Sequence, residues 1–348
     1  MLNRFIVRLV DWLIAILIVC ALLWFFITQP ILPVKSSSEL PQVNQANLKN
    51  HVINLTKLTT SKQLSKDSLG TDNYIFAYFS RIGKPTKQGF VGMSGRYNNV
   101  SLLIGSKTDK RVVVGVQYAP PNGDTKTPWN PSGVAALLET ARVLTANKDN
   151  LPVAVELVAY ATAGMAANGT LDMGSFHHAK ALKDKKVDLA LMLSLGSVGY
   201  YRQTAFSQEY PFSFMHMLYP DRANFISLSS RLEDFASVRS VKKSFSRVPD
   251  LPVESLSAPE NFPIVGGSDH ESYWLNDFAA IQVSDLLEYR YSKNQSKSAA
   301  ESLDYPAMSR IVQALYQTAV DSKHATANRD GNGGFLESAF EKVTTLFD

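Results

Sequence analysis

The chain has 348 residues, a formal net charge of +4 and 19% charged residues. This excess of positive charge is small, and no Arg/Lys cluster is interleaved with aromatic residues, so nucleic acid is not expected as a partner. The single cysteine, Cys20, offers no disulfide partner and excludes cysteine chemistry in the soluble part.

The first predicted element is a membrane-spanning helix. No charge occurs from residue 12 to residue 34, and a hydrocarbon core ~30 Å thick requires about 20 residues of helix. The apolar run is too long for a cleaved signal peptide, and no clean small-x-small site follows it. Arg4 and Arg8 precede the run and Lys35 follows it, which favours a cytoplasmic N-terminus. We expect residues 12–34 to contact the lipid bilayer, with the globular domain on the periplasmic side of a bacterial inner membrane.

The predicted organisation has four parts. They are a cytoplasmic N-terminus and anchor (1–34), a polar stalk in which one helix can reach the domain (35–70), an α/β domain (71–324), and a linker with a C-terminal amphipathic helix (325–348). The part beyond the stalk is long enough for one large core. Within it, residues 222–248 predict a surface helix whose basic side, with Arg239, Lys242 and Lys243, is expected to face solvent rather than lipid.

Strands and helices alternate in the first half of the domain. Residues 111–119 and 152–162 are β-branched apolar runs typical of buried parallel strands. Between them, Asn130-Pro131-Ser132-Gly133 precedes a helix with apolar spacing over 134–144. A helix over 174–182 and a strand over 187–195 follow. This alternation predicts a doubly wound α/β sheet, mixed but mostly parallel, with helices on both faces and a site at the carboxyl ends of the strands.

Several motifs resemble those of one metallopeptidase family. GVQYAPP with WNPSGVAALLETARVL resembles Gly-x-His-Tyr-Asp followed by Asp-Asn-x-Ser-Gly-x-x-x-x-Leu-Glu-x-Ala-Arg. AYATAG with DMGSFHHAKAL resembles two adjacent Glu before a Met-Gly-Ser turn, and MLSLGSVGYY resembles Ser-Leu-Glu-Met-Ile-Gly-Tyr-Tyr. LYPDRANFISL, GGSDHESYW, VSDLLEYR and ESLDY follow in family order. Over roughly residues 70–323 the chain is similar to the zinc aminopeptidases, which include bacterial leucyl aminopeptidases, with glutamate carboxypeptidase and the transferrin receptor as distant relatives.

The resemblance implies a di-zinc site whose ligands and general base are all replaced in this chain. Two zinc ions need imidazole and carboxylate ligands, one of them bridging, to activate a shared water. Gln117 corresponds to the family's first His, Ala119 to the Asp that orients it, and Trp129 to the bridging Asp. Thr162 corresponds to the general base and Ala163 to the adjacent Glu. Gly196 corresponds to the next carboxylate, and a position near Asn294 to the last His. We therefore expect no zinc, no other cofactor and no catalytic residue.

The remnant of this cleft is expected to consist of seven residues, namely Gln117, Trp129, Asn130, Thr162, Ser268, Asp269 and His270. Ser268-Asp269-His270 contains the residue types of a hydrolytic triad, but adjacent residues in an extended loop point in different directions. His177 and His178 are adjacent on a predicted helix and cannot chelate one ion together. His51 and His216 have no carboxylate or cysteine partners at ligand spacing, and we interpret them as ordinary residues.

Three hypotheses about function follow. The first is a membrane-anchored pseudopeptidase that binds an unknown protein or peptide; the transferrin receptor implies that this fold can serve binding alone. The second is a zinc aminopeptidase with non-standard ligands, and only this hypothesis requires zinc. The third is a structural subunit of a membrane complex. The residue chemistry favours the first and the third.

Overall fold

The computed structural model describes residues 2–31, 39–60, 69–92, 95–105, 110–118, 130–162, 172–290 and 300–322. The helices are α1 (Leu2–Thr28), α2 (Gln45–Thr60), α3 (Leu69–Ser80), α4 (Pro131–Ala146), α5 (Gly174–Asp184), α6 (Phe235–Phe245), α7 (His270–Trp274) and α8 (Tyr305–Asp321). The strands are β1 (Thr86–Gly92), β2 (Gly95–Gly105), β3 (Lys110–Gln117), β4 (Ala154–Tyr160), β5 (Asp188–Leu195), β6 (Ile226–Ser230), β7 (Val253–Ser257) and β8 (Ala280–Ser284).

All these strands belong to one sheet, in the order β1-β2-β4-β3-β5-β8-β6-β7. Strand β3 pairs in parallel with β4 and β5, and β5 pairs in parallel with β8. The antiparallel pairs are β1 with β2, β2 with β4, and β6 with β8. The predicted doubly wound, mixed and mostly parallel sheet is confirmed. From β3 the chain passes through α4 to β4, which lies next to β3 in the sheet. From β4 it passes through α5 to β5, which lies next to β3 in the opposite direction. The strand order therefore reverses at β3, which is the topological switch point of the sheet.

Helices cover both faces of the sheet because its central strands are apolar on both sides. Val114 and Leu193 contribute to one core cluster with α2, α4, α6 and α8, whereas Val113 and Met192 contribute to a second cluster with α5 and α7. Neighbouring residues of one strand point to opposite faces, so each apolar run serves both clusters.

Helix α2 lies within residues 35–70, which the sequence analysis assigned to a polar stalk. Leu48, Val52 and Leu55 recur on one side of α2 and are fully buried in the core cluster that also contains α4 and α8. This part of the proposed stalk therefore belongs to the folded domain. Burial of one apolar stripe stabilises a helix even where its other positions are polar.

The end of α1 is fixed to the domain by polar contacts. The carbonyl oxygen of Thr28 accepts hydrogen bonds from Lys242 Nζ at 2.8 Å and from Ser255 Oγ at 2.7 Å. Gln29 Nε2 donates to Ser257 Oγ at 2.7 Å, and the Arg239 guanidinium lies 5.1 Å from the Phe25 ring centroid. The expectation that the basic side of this region faces solvent is wrong for Lys242, which is buried because it caps the carbonyl end of α1.

Candidate functional site

The carboxyl ends of β3, β4 and β5 lie side by side and bring together three positions that the sequence analysis singled out. Gln117 ends β3, Thr162 follows β4, and Gly196 follows β5. The side-chain amide of Gln117 donates a hydrogen bond to the Thr162 hydroxyl. Both groups are neutral, and Thr162 is buried. Gln117 and Thr162, which the sequence analysis matched to the family's first ligand and general base, are therefore hydrogen-bonded to each other.

Asn130 ties the start of α4 to the end of β5. Its Oδ1 accepts a hydrogen bond from the Gly133 backbone N–H at 2.8 Å, which caps the helix, and its Nδ2 donates to the Leu195 carbonyl at 3.2 Å. Pro131 occupies the first helical turn, where the missing N–H costs nothing. A Cβ atom on Gly133 would lie 2.6 Å from the Gly196 carbonyl oxygen, so this close approach requires glycine. The Asn-Pro-Ser-Gly motif thus acts here as a helix cap.

Gly196 occupies a restricted space. A Cβ atom at this position would lie 2.9 Å from both Cβ and Oγ of Ser284 at the end of β8. Contacts this short require one of the two elements to move. The carboxylate that the family carries at this position cannot be accommodated without displacing Ser284.

The side chains of Ser268, Asp269 and His270 take separate partners. Ser268 Oγ lies 3.2 Å from Ser194 Oγ, and His270 Nε2 lies 2.6 Å from the Val265 carbonyl oxygen. Asp269 is buried, and its carboxylate oxygens have no hydrogen-bond partner among the described residues. Burial raises the pKa of Asp269 to about 7, and the nearby Ser175 hydroxyl partly opposes this shift although it lies outside hydrogen-bond geometry and bonds to Ser272 Oγ at 3.0 Å. The tripeptide therefore does not converge as a triad.

A buried polar network lies on the α5 and α7 side of the sheet. The Arg111 guanidinium donates to Glu156 Oε2 at 2.7 Å, and Glu156 Oε1 lies 3.3 Å from His178 Nε2. His178 Nδ1 lies 2.6 Å from the Tyr273 hydroxyl, which in turn lies 2.6 Å from the Tyr160 hydroxyl. We call these five residues the buried network. It joins β3, β4, α5 and α7 in one chain of hydrogen bonds.

Within the buried network, Glu156 is ionised and the hydroxyls of Tyr160 and Tyr273 are neutral. Burial by itself would raise the pKa of Glu156, but His178 and Arg111 overcome that effect and lower it to about 2. Burial raises the pKa values of both tyrosines well above the ordinary range, so their hydroxyls stay protonated. The charge of Glu156 is thus satisfied by two partners, as a buried charge must be.

The sequence analysis missed this network because it considered His178 only as a metal ligand together with His177. The available signal was Glu156, the one charged residue in the otherwise apolar run VAVELVAY. A charge inside a buried strand requires a partner. His177, in contrast, stacks on the Phe90 ring at 4.5 Å between ring centroids.

The described residues include no cluster of side chains that could bind a metal ion. Within those ranges, no three His, Cys, Asp or Glu side chains come together as a metal site requires. Ala119, Trp129, Ala163 and Asn294 lie outside the described residues. At the strand ends, Gln117 and Thr162 offer an amide and a hydroxyl, and Gly196 offers no side chain. This donor set does not fit a zinc pair, which needs imidazole and carboxylate ligands.

A cavity of about 340 Å³ lies between α2 and α3, away from the strand ends. Its polar lining consists of Asn47, Asn50, His51, Asn54, Tyr74, Tyr78 and Arg81. His51 Nδ1 lies 2.7 Å from the Tyr74 hydroxyl, and burial lowers the pKa of His51 to about 4 although Glu139 opposes the shift. The imidazole is therefore neutral at pH 7, and the lining can bond to a polar ligand through amides and hydroxyls.

The architecture of the sheet and helices is that of the zinc-dependent exopeptidase fold. Similar solved structures include the LapA aminopeptidase of Legionella pneumophila (15% identity, TM-score 0.56, 84% of this chain and 76% of that chain). A Zn-dependent exopeptidase of Parabacteroides distasonis (14%, 0.54, 81% and 99%) and an Acidobacteriales glutaminyl cyclase (11%, 0.58, 84% and 100%) are also similar. No protein-family profile matches the chain.

Sequence comparison places the chain in a narrower group. It is 33% identical to the uncharacterized protein YfbL of Escherichia coli K12 over 260 residues, which cover 72% of this chain and 79% of YfbL. The chain belongs to the YfbL family.

Proposed function

We propose that the protein is a membrane-anchored pseudopeptidase, which uses a peptidase-like fold to bind a ligand or partner without hydrolysing peptide bonds. The hydrogen bond between Gln117 and Thr162 carries this proposal. Where the family activates a water with two zinc ions, an amide and a hydroxyl satisfy each other. Neither group can accept a proton from water near neutral pH or bind zinc as imidazole and carboxylate do.

The space around Gly196 supports the same conclusion. A site that had lost one ligand through a recent substitution would still have room for the original side chain. Here Ser284 occupies that room. The β5 and β8 ends are therefore packed for glycine, which indicates that the strand ends have adapted to the absence of a carboxylate.

Zinc content and hydrolysis of an aminoacyl reporter test the proposal. The full chain, purified in detergent and incubated with zinc, is expected to hold no stoichiometric zinc and to leave the reporter intact. The Legionella LapA aminopeptidase, treated in parallel, controls for the assay. Near-stoichiometric zinc together with cleavage that a chelator abolishes would establish the alternative, a zinc aminopeptidase with non-standard ligands.

Retention of α1 as the membrane anchor is the second part of the proposal. Residues Val10–Thr28 are long and apolar enough to span a membrane, with a mean hydropathy of 2.7, a property that signal sequences near an N-terminus share. Cleavage after Thr28 would remove the Thr28 carbonyl, which leaves Ser255 Oγ without this acceptor and leaves Lys242 Nζ with Ser255 Oγ as its partner among the described residues. Buried donors left without partners cost about 1–3 kcal/mol each, and more when charged. Retention avoids this cost.

Mass spectrometry of the protein in isolated membranes tests retention. The intact mass, including residues 1–28, is expected in the fraction that resists alkaline carbonate extraction. A mature N-terminus after residue 28 would contradict it. With a cytoplasmic N-terminus and a periplasmic domain, protease added to spheroplasts is expected to digest the domain, and protection of the domain would overturn this orientation.

A structural subunit of a membrane complex is the second candidate function, and the rigid junction of α1 with β7 and α6 favours it. The two candidates predict different binding surfaces. Replacement of residues 2–22 by an unrelated apolar helix of equal length preserves the junction while changing the surface in the membrane. If crosslinked partners are lost, α1 carries the contacts; if they persist, the globular domain binds them.

A further inference from the structure

An exposed apolar surface lies on the 3₁₀ turn Ser213–Met217 and the residue before it. Phe212, Phe214 and Met217 are 41%, 54% and 87% exposed. We call these three residues the apolar patch. The Phe212 and Phe214 rings stack with centroids 5.7 Å apart, and Phe212 also lies 5.4 Å from the Phe262 ring. Buried Met215 fixes the turn from below, so the patch is held outward by packing.

The position of this patch relates it to the anchor. The Tyr219 hydroxyl, two residues beyond the turn, donates to the Ser255 carbonyl at 2.9 Å. The Ser255 hydroxyl donates to the Thr28 carbonyl at 2.7 Å. Ile27 of α1 packs on the same apolar cluster as Met215 and Tyr219. One residue of the edge strand β7 thus connects the last turn of α1 to the segment that carries the patch.

The junction leaves little freedom between anchor and domain. Helix α1 continues unbroken to Thr28, where Lys242 caps it, and its Phe26 ring lies 5.1 Å from the Phe235 ring at the start of α6. A helix that enters the domain without a linker holds the neighbouring surface of the domain close to the bilayer. Phenylalanine and methionine side chains on a surface close to the bilayer can bury apolar area at the boundary between headgroups and acyl chains.

We propose that the apolar patch inserts into the bilayer beside α1, so that the domain contacts the membrane at a second point and has a fixed orientation. This inference rests on the proposed retention of α1 in the membrane. The proposed occupant is lipid because the segment that carries the patch is joined through Ser255 to the last turn of α1 and shares an apolar cluster with Ile27. Scattered exposed apolar residues are common on proteins, but three on one short turn, two of them with stacked rings, concentrate apolar surface in one place.

Quenching by brominated lipids tests the proposal on the full chain in phosphatidylethanolamine and phosphatidylglycerol vesicles. An environment-sensitive fluorophore is attached to single cysteines in a Cys20→Ala background. One variant carries Met217→Cys, and the matched control carries Val91→Cys, which is 71% exposed on β1 at the opposite edge of the sheet. A third sample carries the label on the native Cys20 within α1. All labelled side chains are exposed in the protein, so their replacement leaves the core intact.

The expected result is strong quenching at Cys20, at least twofold quenching at position 217, and none at position 91. Quenching at Cys20 but not at position 217 would overturn the inserted patch while the anchor stands. Equal quenching at positions 217 and 91 would also overturn it, because the contact would not be specific. Absence of quenching at Cys20 would overturn both proposals. A position-217 label that lipid does not quench, but that crosslinks to a second chain, would assign the patch to a protein contact instead.

Discussion

Strand β4 and the residues after it connect two regions that differ in the charge of their polar groups, namely the buried network and the strand ends. In the buried network, Glu156 keeps a full charge between Arg111 and His178. At the strand ends, Thr162 and Gln117 form a neutral pair, although the family to which the chain is similar concentrates its charges there. The buried network thus contains an ion pair, whereas Gln117 and Thr162 at the strand ends carry no charge.

The difference indicates which part of the fold remains under structural constraint. A buried charge destabilises the protein unless every partner is present, so the network must be kept complete or replaced as a unit. On the proposed loss of catalysis, the strand ends have no such constraint, and neutral residues pack there at lower cost. If this comparison is correct, substitutions in the network affect stability strongly and substitutions at the strand ends affect it weakly.

Glu156→Gln tests the network and has the largest expected effect. It leaves Arg111 with a neutral acceptor and His178 without its carboxylate, so we expect the free energy of unfolding to fall by roughly 3–5 kcal/mol. Urea denaturation of the full chain in detergent measures it. The control is Asp184→Asn, which breaks the exposed Lys180–Asp184 pair at 2.8 Å and is expected to cost at most about 1 kcal/mol. Similar costs for the two variants would contradict the importance of the network.

Asp269→Asn tests the isolated carboxyl between the two regions through pH. Burial raises the pKa of Asp269 from 3.8 to about 7, so the folded state holds a proton that the unfolded state releases between these values. The contribution of Asp269 to stability is therefore greatest below pH 3.8 and is lost as the pH rises to 7. We expect the stability of Asp269→Asn relative to the native chain to increase from pH 5 to pH 8, with an upper bound of about 3 kcal/mol.

Thermal unfolding at several pH values provides the measurement for Asp269→Asn. Asp277→Asn serves as the control because the Asp277 side chain is 84% exposed. Its stability relative to the native chain is expected to stay constant over the same range. A flat difference for Asp269→Asn as well would mean that the carboxyl is solvated or paired in the folded protein.

The central sheet was predictable because β3 and β4 lie in apolar runs rich in valine, β5 is a run of mostly leucine and methionine, and the Asn-Pro-Ser-Gly motif marks the start of α4. Helix α2 was harder to assign. Leu48, Val52 and Leu55 have helical spacing, but the asparagines between them suggested a stalk. Those asparagines line the cavity between α2 and α3, so their polarity reflects a solvent-accessible surface of the domain.

The polar contacts required tertiary information. Glu156 is visible in the sequence as a charge in an apolar strand, yet its partners come from β3 and α5, 45 residues before it and 22 residues after it. The pairing of Gln117 with Thr162 depends on the register of β3 and β4, in which Gln117 lies opposite Tyr160. The sequence predicts that the family ligands are replaced, but it does not predict that Gln117 and Thr162 bond to each other.

Asn130→Ala addresses the strand-end region through its helix cap. The variant loses the bond to the Gly133 N–H and the bond to the Leu195 carbonyl, so we expect a loss of about 1–2 kcal/mol. Asn130→Asp keeps the acceptor that caps α4 and removes only the donor to Leu195, so it is expected to recover at least half of the loss. Chemical denaturation checks both variants. Equal losses would show that the tie to β5, rather than the cap, supplies the stability.

The smallest expected effect comes from the Gln117 and Thr162 pair, and a double-mutant cycle measures it. Gln117→Leu or Thr162→Val alone removes one partner of a neutral hydrogen bond, whereas the double variant leaves no polar group unsatisfied. We expect a coupling energy of about 1 kcal/mol, with the double variant less destabilised than the sum of the single variants. A coupling energy of about 3 kcal/mol or more would be typical of a charge-assisted contact. In that case the strand ends would resemble the buried network, and the contrast between the two regions would fail.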